Sequence, residues 1–118
     1  MKSVYDVWKE TGMIKGVNVK RFPIEGNGCW YGVGSDSYGY QIGKVATDGL
    51  SFEVLDKHGN SRGIAVLATR KNFSGKGRYY WADKDGKPSY YRSRGFIEGD
   101  LGISDEKGCC ETHLDPSF

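Results

Sequence analysis

The spacing of apolar side chains changes once along the chain. Val4, Val7, Trp8 and Thr11 recur at i, i+3, i+4 and i+7, one face of a helix. Ser3 is placed to cap that helix, Asp6 suits its first turn, and Gly12 ends it. So short a helix does not stand alone, and Trp8 is the side chain expected to dock it. After Gly12 the pattern is that of strands. Apolar runs fall at roughly 13–24, 29–33, 38–47, 50–55, 62–69, 78–82 and 89–96, parted by turns rich in Gly, Asp and Ser. The expected fold is mainly β (β-rich α+β): an antiparallel meander forming a small barrel or sandwich, with one short N-terminal helix. Residues 1–118 form a single domain. The linker 71–77 reads as the longest turn-like segment and as mobile.

Asp, two intervening residues and Gly recur at 56–59, 83–86 and 105–108. Their flanks do not match, so shared turn chemistry explains them better than duplication. Such a tetrapeptide suits a type I turn whose Gly is left-handed. Residues 83–86 lack the further acidic ligands of a calcium loop.

These turns fix registers. A two-residue Asp48-Gly49 turn sets Thr47 opposite Leu50, Val45 opposite Phe52 and Lys44 opposite Glu53. The turn at 56–59, with a bulge, sets Phe52 opposite Ile64 and Leu50 opposite Val66. Val45, Phe52 and Ile64 then share an apolar row, and residues 41–68 read as a three-stranded meander. For the third hairpin, Tyr80 falls opposite Tyr90, Tyr79 opposite Tyr91 and Arg78 opposite Arg92. Tyr79, Trp81 and Tyr91 are expected in the core. Arg78, Tyr80, Tyr90, Arg92 and Arg94 are expected on the other face.

Composition adds limits. Apolar residues are 37% and aromatics 14%, so aromatics carry much of the core. Mean hydropathy is −0.59, and no run of ~18 apolar residues suggests a membrane span. The first residues lack the apolar core of a signal peptide. With three cysteines, Cys29, Cys109 and Cys110, a disulfide framework is not expected. Together these predict a cytoplasmic protein that does not act at a membrane.

Charge is uneven. Residues 70–94 carry eight basic and two acidic groups, and residues 95–118 carry one basic and six acidic. Arg78 facing Arg92 calls for a compensating anion. Guanidinium groups beside exposed tyrosines suit phosphates and stacked bases. The candidate binding residues are Arg78, Tyr80, Tyr90, Arg92 and Arg94, with Arg70, Lys71 and Lys76 adding phosphate contacts. The competing reading is internal: the acidic tail 98–118 folds back on the basic hairpin, with Asp100 among its acids.

Other chemistry is thin. Cys109, Cys110 and His113 lack the ligand spacing of structural zinc, so no metal site is expected. A Cys110–His113 nucleophile pair has no visible third group, and no phosphate loop is present, so no enzyme and no cofactor are expected. Trp30, Tyr31, Tyr38 and Tyr40 form a second aromatic region, able to line a small-ligand mouth on a barrel.

The expected function is that of a small non-enzymatic binding protein. Its partner is anionic: nucleic acid or a nucleic-acid-handling host protein. Small stand-alone inhibitors and accessory factors, including those of bacteriophages, are of this type. Two alternatives stay open. One is a protein–protein module or homo-oligomer using Tyr and Trp surface. The other is a small-molecule or nucleotide sponge using the aromatic loop 30–40.

Overall fold

The computed structural model describes residues 2–33, 35–69, 76–92 and 97–114, with backbone alone at 91–92 and 97–98. Helix α1 (Val4–Thr11) begins at Ser3, whose hydroxyl accepts from the Asp6 amide. It ends at Gly12 in the left-handed conformation (φ 74°). Its docking differs in one position from expectation. Val7 is 38% exposed: Val4 and Trp8 are the helix positions that pack on the core, and Phe22 lies against Trp8 and the equally exposed Tyr5. The Trp8 indole N–H donates to the Val19 carbonyl at 2.7 Å, which ties the helix to the chain beyond it.

Ten strands follow among the described residues, from β1 (Met13–Ile14) and β2 (Val17–Asn18) through β3 (Asn27–Val33), β4 (Asp36–Val45), β5 (Ser51–Leu55), β6 (Ser61–Thr69) and β7 (Gly77–Trp81). The last three are β8 (Tyr91–Arg92), β9 (Ile97–Glu98) and β10 (Asp100–Lys107). The expected run 13–24 is therefore two short strands. Six strands close an antiparallel barrel in the order β10-β3-β4-β5-β6-β7. No helix among the described residues is long and apolar enough to cross a membrane. The barrel interior is filled by Cys29, Tyr31, Ile42, Phe52, Val54, Ala65, Tyr79, Trp81, Leu101 and Ile103. One end is plugged by α1 and β1, with Val4 and Ile14 over the turn at Gly49. Tyr79 donates its hydroxyl to the Gly49 carbonyl there, at 2.7 Å.

Two of the turns match their chemistry closely. Asp56 accepts from the amides of His58 and Asn60, and Asp83 from those of Asp85 and Lys87. Gly59 and Gly86 are left-handed, at φ 83° and 79°. The amide of Asn60 holds the Asp56 carboxyl below its ordinary range; burial opposes this, and the amide of His58 adds a smaller lowering.

The registers are half as expected. Val45 pairs with Phe52, although the loop is wider than two residues: Gly49 donates to Ala46, and Ala46 to Ser51. A two-residue and a four-residue loop centred on one bond give the same pairing. The next register is shifted by one. Phe52 pairs with Ala65 and Glu53 with Ile64, because a bulge falls between Val54 and Leu55. Gly63 sits there at φ 137°, a conformation that side chains rarely adopt. A one-residue shift reverses the faces, so Ala65 is buried and Ile64 is 43% exposed.

Two stability outcomes follow from this core. A Cβ at residue 63 would also lie 3.3 Å from the Trp81 ring, so Gly63→Ala should cost about 1–3 kcal/mol. Urea denaturation checks it, and an unchanged midpoint contradicts it. Burial, then the neighbouring Cys110 and Cys109, push the Cys29 thiol up to about 12. Above the ordinary thiol range the unfolded chain has lost this proton while the folded one keeps it. Stability is full below that range and falls as pH rises towards 12, by at most about 1.4 kcal/mol per pH unit for this group. A urea midpoint that stays level between pH 9 and 11, in reducing buffer, refutes the assignment.

Candidate nucleic-acid interface

The third hairpin begins as expected and then opens. Ala82 bridges Pro88, and Ser89 donates to the Trp81 carbonyl. From there β7 pairs with β10 instead: Asp100 opposite Tyr80 and Leu101 opposite Tyr79. The returning chain forms a separate pair, β8 with β9. Tyr79 opposite Tyr91 and Arg78 opposite Arg92 are thus corrected. The opposed guanidinium groups would repel, whereas β10 offers Leu101 to the core and a carboxylate to Arg78. Arg78 meets Asp100 at 2.9 Å. Both are partly exposed, which makes the pair worth ~0.2–1 kcal/mol.

Tyr80 is the second correction. Expected on the surface, it is fully buried. It lies outside the core cluster of the barrel interior, and Tyr90 lies over it, ring centroids 5.0 Å apart at 76°. Tyr79 and Trp81 are core, as expected. Arg70, Lys71 and Arg94 lie outside the described residues, as do positions 71–75 of the linker 71–77 and the side chains of Tyr91 and Arg92; the linker's last residue, Gly77, begins β7.

Arg78 and Lys76 instead meet residues from elsewhere in the chain. They line a groove of about 810 Å³ together with Lys20, Arg21, Trp30 and Gly102. Strand β10 lies between β7 and β3, and Gly102 pairs with Trp30. Continuing the β7 register puts Arg78 on the other side of Gly102. A Cβ at residue 102 would fall inside the Trp30 indole. The ring therefore lies across β10 towards Arg78, 36% exposed. At the near wall Asn18 of β2 makes a parallel bridge to Lys76, the residue just before β7. Lys20 and Arg21 follow directly, and Arg21 donates to the Ile103 carbonyl at 3.1 Å. Four cations thus surround one aromatic plate.

Lys20, Arg21 and Gly102 were not among the residues singled out from the sequence, and Trp30 was singled out only with the aromatic region expected to line a small-ligand mouth. The signal was the alternation of Leu101 and Ile103 with Gly102 and Ser104, a strand pattern inside what reads as an acidic tail. Beyond β10 the chain runs along the free part of β4. Cys110 donates to Tyr40, and His113 and Ser37 exchange two backbone bonds. Cys109 and Cys110 are half-buried free thiols there, both pushed up chiefly by burial. Among the described residues no group of three His, Cys, Asp or Glu could hold a metal.

No protein-family model, curated protein or solved structure matches the chain.

The Trp30 plate depends on the empty position beside it. Gly102→Val should displace the indole, seen as a red-shifted and more quenchable tryptophan emission than in the unaltered protein. Unchanged emission and quenching mean that the ring does not rest on residue 102.

Proposed function

We propose that this chain is a non-enzymatic binding protein for single-stranded nucleic acid, held in the groove between β2, β7 and β10. The observation that carries this reading is the row Arg78–Gly102–Trp30, with Lys20, Arg21 and Lys76 around it. A positively charged groove that follows a backbone, with an aromatic face for a base, is the general requirement for such binding. Arginine suits the role twice, through phosphate contacts and through stacking. The partner class is the one expected from the basic–aromatic hairpin. The residues differ, because Arg78 and Lys76 now act with Trp30 rather than with Tyr80. In this reading the chain is an accessory factor or inhibitor in a reducing, cytoplasmic setting, in keeping with its free thiols.

The salt dependence tests it. Four phosphate contacts give a slope of log K against log salt of about −3 for a single strand. Lys20→Ala/Lys76→Ala should reduce that slope by about 1.4. Trp30→Ala should cost about 1–3 kcal/mol, from the lost stacking of one base. Fluorescence anisotropy with a labelled oligonucleotide reads both, and circular dichroism confirms that the variants fold. Salt-independent binding, or a double variant that binds as the parent does, rules the reading out.

A further inference from the structure

The end of the barrel away from α1 is built differently from the plugged end. Trp81 closes it, and two tyrosines stand perpendicular to its indole. Tyr31 is 5.9 Å away at 86° and Tyr40 5.6 Å away at 88°. Beside them opens a cavity of about 250 Å³, completed by Arg62, Gly63 and Ala82. The opening exists because of the β6 bulge. Residue 63 has a φ of 137° and faces the Trp81 ring, so a side chain there is both strained and in the way. The space holds roughly eight waters at ~30 Å³ each. That is less than the ~300 Å³ where pockets for drug-sized ligands begin, and it suits one ring system.

Its chemistry is selective. Aromatic faces favour a flat ring. Arg62 is exposed at the rim, and no acidic side chain lines the cavity among the described residues. Asp56, which feels Arg62 electrostatically, already accepts two backbone amides. A quaternary ammonium would suit the rings alone, but the guanidinium repels it. We infer that this end of the barrel is a second binding site, for a small planar aromatic ring carrying one anionic group. The ring enters beside Trp81, and its charge meets Arg62 at the rim. Two sources share this chemistry: a nucleoside monophosphate and an aromatic carboxylate.

Nuclear magnetic resonance titration of the full chain separates the outcomes. The probes are adenosine 5′-monophosphate and benzoate, with adenosine and inorganic phosphate as half-ligands. Saturating shifts at the Gly63 and Ala82 amides and at the Trp81 indole support the site, and the probe that produces them names the source. Uncharged adenosine should then bind about tenfold more weakly than its monophosphate if that is the source. Arg62→Ala should weaken the active probe by a similar factor, with partial recovery in Arg62→Lys. Shifts confined to the Trp30 indole and the groove lysines overturn the inference, as do shifts that never saturate or an Arg62→Ala that binds as tightly as the parent. The Trp30 signal reports the groove and the Trp81 signal this cavity, so either site can fail without the other.

Discussion

Strand β10 occupies the gap between β3 and β7, and most of the molecule's organisation depends on that placement. It pairs with both neighbours and so removes the two edges an open sheet would expose. It brings Leu101, between Tyr31 and Tyr79, and Ile103, opposite Cys29, into the core, where they complete the apolar filling. It also separates β7 from the chain that follows its own turn. A hairpin of 78–82 with 89–96 satisfies local turn chemistry. The barrel satisfies that chemistry and closes the sheet as well, so the hairpin survives only in its first pairs. Closure at long sequence separation wins because it pairs a whole row of backbone groups and buries two further side chains.

The same competition separates what could be read from the chain from what could not. Local signals were sufficient where a single residue sets a conformation: Ser3 and Gly12 at the helix ends, Asp56 with Gly59, Asp83 with Gly86. The barrel class followed from the many short runs between such turns. The register of β5 with β6 did not, since the bulge at Gly63 leaves no mark beyond one glycine among eighteen. Ile64 reads as the better core residue, yet Ala65 takes the place because the bulge shifts the register by one residue. Tyr80 was misplaced for a related reason. Strand alternation gives the face of a side chain but not what later covers that face.

The charge asymmetry also changes meaning in three dimensions. A basic block followed by an acidic tail suggests internal neutralisation, and among the described residues Arg78 and Asp100 make a contact of that kind. It is limited by strand geometry. Only alternate side chains of β10 face outward beside β7, and after Asp100 the next such position is Gly102. The acids further on, Asp105 and Glu106, lie at the exposed end of the strand. Meanwhile Lys20 and Arg21 arrive from β2, a segment whose charge looked unremarkable in sequence. The groove thus keeps a cationic excess that a count over sequence blocks does not show.

Both candidate sites rest on a glycine opposite a tryptophan, and the two cases differ instructively. Gly102 is flat, and its missing side chain gives Trp30 a seat on the outside of the barrel. Gly63 is bulged, and its missing side chain leaves space beside Trp81 at the barrel mouth. In each case an arginine stands next to the aromatic face: Arg78 beyond Gly102, and Arg62 next to Gly63. The outer plate is open along its length and is bordered by several cations, which fits an extended polyanion. The inner one is flanked by perpendicular rings, with Arg62 the one cation at its rim among the described residues, which fits one ring and one charge. The chemistry of recognition is shared, and the shape of the backbone around each glycine decides the size of what is recognised.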